Sequence, residues 1–152
     1  MDEVFISEGP YPAIELQIDD RSKITSGKMG SPGKRTKPAE IMYGFDVVRD
    51  TLGPASSINM AHGIKKTEPE RRILAITFED FFFHSGMPAF VNTLYNASAF
   101  VLLILVNEKE EDIKQVLAGF GFHNTFHIEK YSEIERFKDV KELTVIFCKG
   151  II

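Results

Sequence analysis

The chain has few cysteines, no long apolar run and no excess of basic charge, and each shortage excludes a class of protein. Cys148 is the single cysteine among 152 residues, so the chain cannot form an internal disulfide or supply the four thiolates that an iron–sulfur cluster usually takes. A reducing cytoplasm is therefore the expected location. The longest apolar run, Ala99–Val106, is far shorter than the roughly 20 residues that span a bilayer. Residues 1–10 also lack the pattern of a signal peptide, so we expect no membrane insertion.

The charge balance and the length limit the partners and the number of domains. The formal net charge is -4, so the general positive field that binds nucleic acid is missing and no nucleic-acid partner is expected. With 43% hydrophobic and 26% charged residues, residues 1–152 have the composition of a single compact domain. Residues 19–39 carry six Lys or Arg together with several Gly and Pro. We interpret this segment as a mobile basic loop.

Apolar runs alternate with helical patterns through the second half of the chain. Three short continuous runs, Arg72–Phe78, Ala99–Val106 and Glu142–Cys148, are typical of strands that are covered on both faces. Between the first two, apolar residues at spacings of three and four predict a helix that begins near Ser85–Gly86. A second helix is predicted over Glu110–Ala118. Because strand and helix alternate, the expected fold is an α/β three-layer sandwich with a mostly parallel central sheet.

Polar residues stand where two of these predicted strands end. Glu79 and Asp80 follow the first strand, and Asn107 follows the second. If the two strands are neighbours, these side chains meet at the carboxyl edge of the sheet, where open parallel sheets bind ligands. The alternative is that such ends are polar only because loops are solvated. Composition and spacing leave both interpretations open.

The segment from Phe82 to Asn107 adds a family resemblance. "FFHSGMPA" is followed by a helix ending in Tyr95-Asn96, an apolar strand and Asn107. In this order the residues resemble the diphosphate-binding domain of the thiamine-diphosphate-dependent indolepyruvate and other 2-oxoacid:ferredoxin oxidoreductases. Upstream, "SSINMAHG" from Ser56 is similar to a helix start of the same family. The resemblance implies the thiamine-diphosphate-binding fold and a role in 2-oxoacid oxidation.

The resemblance also implies roles for single residues. Ser56, Ser57 and Ile58 would contact the cofactor, with Ile58 as the apolar shelf beneath its thiazolium ring. Asp80 and His84 would lie beside the diphosphate, although His84 is equally explained by a structural hydrogen bond. Two residues would be ligands of Mg²⁺, namely Glu79 and Asn107. The implied cofactors are therefore thiamine diphosphate and Mg²⁺.

Three departures from the family pattern stand against full activity. Phe78 and Glu79 occupy the turn where the family has Gly-Asp. A ring therefore replaces the glycine that admits a diphosphate, and a longer acid replaces the aspartate. The long lid that follows the asparagine in the family is absent, because a helix is predicted almost directly after Asn107. The cysteines that hold iron–sulfur clusters in the family are missing as well, so this chain cannot pass electrons itself. In addition, the family places its cofactor between two kinds of domain. We therefore expect a homo-oligomer or a separate pyrimidine-domain subunit as partner.

The remaining histidines and the cysteine suggest no separate site. His62 is best explained as a packed or capping residue, and His123 and His127 share a face but lack a third metal ligand. Cys148 lies in an apolar strand without an assigned base, which argues against a nucleophile. Two hypotheses remain. The chain is either a partial thiamine-diphosphate-binding subunit without autonomous catalysis, or a non-catalytic protein-interaction or anion-binding module that has lost the cofactor.

Overall fold

A computed structural model describes residues 40–150, so the basic segment 19–39 lies outside the described residues. The helices and strands of the described part have the following bounds: β1 Ile41–Met42, β2 Phe45–Val48, α1 Ser56–Thr67, β3 Ile73–Phe78, α2 Glu79–Phe81, α3 Met87–Tyr95, β4 Val101–Val106, α4 Glu110–Gly119, β5 Thr125–Ile128 and β6 Thr144–Lys149. A π-helical segment, Phe82–Gly86, joins α2 to α3, and a 3₁₀ helix spans Tyr131–Phe137.

The strands form one six-stranded sheet in the order β1-β2-β3-β4-β6-β5. All neighbouring pairs are parallel except β1 and β2, which are antiparallel. The predicted mostly parallel α/β sandwich is confirmed. The chain adds strands in one direction as far as β5 and then turns back, so that β6 pairs between β4 and β5.

The two faces of the sheet carry separate apolar clusters, because successive strand residues point to opposite faces. In β4, Leu102, Ile104 and Val106 belong to the first cluster, while Leu103 and Leu105 belong to the second. Helices α1, α3 and α4 supply the first cluster with buried residues that include Ile58, Phe90 and Leu117. The second cluster receives Ile134 from the 3₁₀ helix. Outward crossovers thus use one face and the return to β6 uses the other, as right-handed connections require.

The helix that follows β3 begins earlier than the sequence pattern predicts. The expected start near Ser85–Gly86 is wrong, because the backbone is already helical from Glu79. A π turn is inserted at this point, and its wider bond runs from the Met87 N–H to the Phe82 carbonyl. Pro88 follows directly and cannot donate an N–H of its own. The sequence signals of a helix start therefore mark the π turn inside a longer helix.

None of the helices in residues 40–150 is long and apolar enough to cross a membrane.

Candidate functional site at the carboxyl edge

Glu79 is the first residue after β3, and its side chain bridges to the loop that follows β4. Its Oε2 accepts hydrogen bonds from the backbone N–H groups of Asn107 (2.9 Å), Glu108 (3.3 Å) and Lys109 (3.0 Å). The residue is only 8% exposed. Glu79 and Asn107 lie at the same edge of the sheet, as expected for the ends of two neighbouring strands. Their contact, however, joins the Glu79 carboxylate to the Asn107 backbone and not to its side chain.

Three converging N–H groups make this loop an anion site, and the anion is the protein's own carboxylate. Successive backbone N–H groups before a helix attract negative charge, and the dipole of α4 adds to the attraction. Hydrogen bonds from N–H groups to a carboxylate are among the stronger ones in proteins. A cation at the same oxygen would face the positive ends of three N–H dipoles. The surroundings of Glu79 Oε2 thus fit an anion held in place, and they do not fit a magnesium ligand.

Asn107 and Asp80 have other surroundings. The Asn107 Oδ1 lies on the side of β6, 3.4 Å from the position that a Cβ on Gly150 would take. Asp80 is exposed and forms an ion pair with Lys109. The hydrogen bond that Lys109 donates to the Asp80 carboxylate raises the pKa of Lys109 above its ordinary value. The acid predicted beside a diphosphate is therefore neutralised by a lysine of the neighbouring loop.

The three predicted cofactor contacts at the start of α1 are hydrogen-bonded or buried within the protein. Ser56 Oγ accepts a hydrogen bond from the Leu52 N–H at 3.1 Å. Ser57 and Ile58 are both 0% exposed. The Ser57 hydroxyl has no hydrogen-bond partner among the described residues. An apolar shelf for a cofactor ring needs open surface, and Ile58 has none here.

Ile58 is covered from the π-helical segment. A Cβ placed on Gly86 would lie 3.4 Å from Ile58 Cδ1, 3.3 Å from Ala55 Cβ and 3.0 Å from Phe82 Cδ2. Real Cβ atoms seldom come that close, so the lack of a side chain at Gly86 lets the π turn pack directly on α1. Of the two aromatic residues at the head of "FFHSG", Phe82 is 0% exposed and Phe83 is partly buried against the first cluster. These rings belong to the core.

Asp50 also lies at the carboxyl edge, although the sequence patterns did not single it out. Its Oδ1 accepts the Ser57 N–H at 3.0 Å and its Oδ2 accepts the Thr77 hydroxyl at 2.7 Å. One carboxylate thereby joins the end of β2, the end of β3 and the first turn of α1. The sequence did contain an indication, since Asp50 follows closely after a mostly apolar segment, just as Glu79 does. That segment, Phe45–Val48, is only four residues long, which is too short for its pattern to identify a strand.

His84 and the other candidates stay apart from this edge network. His84 is exposed, and its Nδ1 pairs with the Ser85 hydroxyl. His127 contacts Glu110 at 2.8 Å and Glu129 at 3.1 Å through opposite ring nitrogens. Burial raises the pKa of the Cys148 thiol above its ordinary value, which disfavours the reactive thiolate. Within residues 40–150 no group of three His, Cys, Asp or Glu residues is placed to hold a metal ion.

His62 links α1 to the loop after α3, in agreement with its prediction as a packed residue. Its Nδ1 lies 2.6 Å from Ser98 Oγ. Burial, with a smaller effect of Lys66, lowers the pKa of His62 below its ordinary value of 6.5. Below that pH the unfolded chain takes up a proton that the folded chain resists. The stability that His62 confers is thus lost as the pH falls from 6.5 through the folded pKa.

We expect His62→Asn to reduce the loss of stability on acidification. Asn retains a polar group near Ser98 but does not titrate, so the variant should lose less free energy of unfolding between pH 7.5 and 5 than the wild type. Urea unfolding at both pH values measures this difference. His123→Asn, which alters an exposed histidine, is the control. Equal pH dependence of the wild type and the His62 variant would contradict the expectation.

The fold and this edge define an α/β protein with a mostly parallel sheet, whose carboxyl edge is occupied by the protein's own side chains. No family model matches the chain. Over 73 residues it is 33% identical to the indolepyruvate oxidoreductase subunit IorA of Pyrococcus horikoshii and 34% identical to that of Pyrococcus abyssi. Each alignment covers 40% of this chain and 11% of the relative. The chain is therefore loosely related to indolepyruvate oxidoreductase subunits and matches only a small part of their length.

Proposed function

We propose that this chain is a non-catalytic relative of indolepyruvate oxidoreductase subunits. In this proposal it has lost thiamine diphosphate binding and acts as a protein-interaction or anion-binding module. The observation that carries the proposal is the Glu79 carboxylate held by three N–H groups. By resemblance this acid would be a ligand of Mg²⁺, but here its Oε2 lies against donors and not toward open space. To ligate the metal, Glu79 would first have to give up these hydrogen bonds.

Two further contacts support the loss of the cofactor. The Asp80–Lys109 ion pair adds an exposed side-chain pair beside the turn where a diphosphate would approach. The Ile58 side chain offers no open surface to a thiazolium ring. Each contact is weaker support than the Glu79 cap, since exposed ion pairs are worth little and side chains can move. Together they describe an edge closed by side chains of the chain itself.

The second candidate is a partial subunit that binds thiamine diphosphate and Mg²⁺ together with a pyrimidine-domain partner or a second copy. Asn107, which matches the asparagine of the family pattern, and the relationship to the oxidoreductase subunits favour this candidate. In that case Glu79 would have to swing out of its cap when the partner binds. No catalysis by the isolated chain is expected under either candidate.

Isothermal titration of the full chain with thiamine diphosphate and Mg²⁺ tests the proposal. We expect no saturable heat at ligand concentrations up to about 1 mM, where a dissociation constant corresponds to about -4 kcal/mol, and no thermal shift. A thiamine-diphosphate enzyme of known competence is the positive control. Saturable binding that disappears without Mg²⁺ would overturn the proposal and support the second candidate. The same titration on a complex co-purified from the native cell tests whether thiamine diphosphate binds only when a partner protein is present.

A further inference from the structure

A cleft of about 560 Å³ opens at the other end of the sheet. It lies where β3 and β4 begin, and its lining includes the apolar residues Phe45, Ile73 and Phe100. Two segments also line it, Pro69 to Arg72 before β3 and residues 138–141 before β6. The volume lies within the range of small-molecule sites, about 300–1,000 Å³. The carboxyl edge that contains Glu79 takes no part in this cleft.

Basic side chains outnumber acids in the cleft. The described residues that line it include five bases: Lys65, Arg71, Arg72, Lys138 and Lys141. Three acids also line it, Asp46, Glu70 and Asp139. The net charge of these side chains is therefore +2, although the whole chain carries a formal charge of -4. A concave surface with an excess of one charge concentrates counter-ions.

Each acid that lines the cleft interacts with a base that also lines it. Asp46 forms an ion pair with Arg71, and Asp139 is 2.7 Å from Arg72. Glu70 acts on Lys65, since its charge raises the pKa of that lysine against the stronger effect of burial. No acid of the cleft pairs with Lys138 or Lys141 in the described contacts. Among the described residues, Lys138 forms an ion pair at 3.9 Å with Glu135, which lies outside the cleft.

Lys65 supplies a third lysine side chain to the lining of the cleft. Its Nζ donates hydrogen bonds to the backbone carbonyls of Pro69 and Arg71, the latter at 2.8 Å. Burial lowers the pKa of Lys65, and the positive charge of Lys141 lowers it further. Lys65 and Lys141 therefore carry like charges that repel each other within the lining of one cleft. An anion between them would remove the repulsion and bring the charge of the lining side chains to zero.

We propose that this cleft binds a phosphate group as a dianion, between Lys138 and Lys141 and next to Lys65. A dianion matches the excess of two positive charges, whereas a monocarboxylate balances half of it. Lysine ammonium groups suit phosphate as point charges. The shared chemistry is that of inorganic phosphate and of a small phosphomonoester. The proposal does not depend on whether the opposite edge binds thiamine diphosphate.

Titration with inorganic phosphate, followed by ¹⁵N–¹H NMR at low ionic strength, tests this site. We expect saturable shifts confined to residues 65–73 and 138–141. Lys141→Ala and Lys138→Ala should each weaken binding about fivefold to tenfold, as the loss of one nearby charge predicts. The double variant should show no saturation. Both lysines lie at least partly in solvent, so the variants should fold, which circular dichroism checks.

Lys149→Ala is the matched control, because Lys149 is an exposed lysine at the far end of β6. It should leave phosphate binding unchanged. Two further ligands are titrated in the same way. Glycerol 1-phosphate compares a phosphate ester with the free ion, and succinate compares a dicarboxylate with phosphate. Tighter binding of succinate than of either phosphate, an equal loss in the Lys149 variant, or shifts spread over the whole surface would each overturn the proposal.

Discussion

Glu79→Ala should lower the free energy of unfolding by about 3 kcal/mol. Each hydrogen bond to a charged group contributes roughly 1.5–3 kcal/mol. Three are lost here, but Asn107 and Glu108 are exposed, so water can replace part of them. Glu79→Gln keeps an acceptor oxygen without the charge and should fall between the wild type and Glu79→Ala. Urea unfolding at pH 7 measures the three free energies.

Glu108→Ala is the matched control for this prediction. Glu108 lies in the same loop and also carries a carboxylate, but its side chain is exposed. Its removal should change the free energy of unfolding by less than about 0.5 kcal/mol. If Glu79→Ala proved as mild as this control, the carboxylate would not hold the loop, and the main support for a closed carboxyl edge would be lost.

Phe82→Ala should have the largest effect of any substitution considered, a loss of about 4 kcal/mol in the free energy of unfolding. Its ring is 0% exposed and makes edge-to-face contacts with Phe83 at 5.9 Å and Phe90 at 6.3 Å between ring centroids. Truncation of a buried phenylalanine leaves a cavity and typically costs 3–5 kcal/mol. Thermal and urea unfolding of the purified variant provide the measurement.

Phe83→Ala tests whether position in the core, and not aromatic character alone, determines that loss. Phe83 is the next residue, is only partly buried, and lies 5.9 Å from Lys109 Nζ, measured to its ring centroid. We expect its removal to cost less than half as much as that of Phe82. Similar losses at both positions would place the two rings in equivalent surroundings, which contradicts their burial.

The sheet could be predicted because its signals are local and consistent. The continuous apolar runs Arg72–Phe78 and Ala99–Val106 indicated strands covered on both faces, and β3 and β4 lie within them. Their alternation with helical patterns was enough for a parallel sheet, since parallel neighbours require crossovers. The meeting of Glu79 and Asn107 followed from geometry alone, because parallel strands present their carboxyl ends at one edge.

The chemistry at that edge could not be predicted from the residue types. Glu79 was predicted as a magnesium ligand, and that assignment stays a prediction, but a carboxylate accepts N–H groups as well as it coordinates a cation. Which of the two it meets depends on the path of the loop after β4, where backbone N–H groups converge. Residue type does not encode this path. The same holds for Ile58, whose covering by Gly86 depends on a π turn that resembles a helix start in sequence.

The cleft lined by Lys65, Lys138 and Lys141 could not be predicted from the sequence for a different reason. Its lining comes from the segment around Lys65 and Arg72 and from Lys138 and Lys141, and strands β3 to β5 with their helices lie between the two in the sequence. No window of sequence contains both segments, and each lysine alone indicates only a solvated surface. The sheet order brings them together, because β6 lies beside β4 and so places the segment before it next to the start of β3.

The position of β6 also orders events during synthesis. Thr144–Lys149 pairs with both β4 and β5, so β5 has no neighbour in the sheet until these late residues have left the ribosome. A nascent chain that ends before Thr144 would expose the flanks of β4 and β5 to other chains.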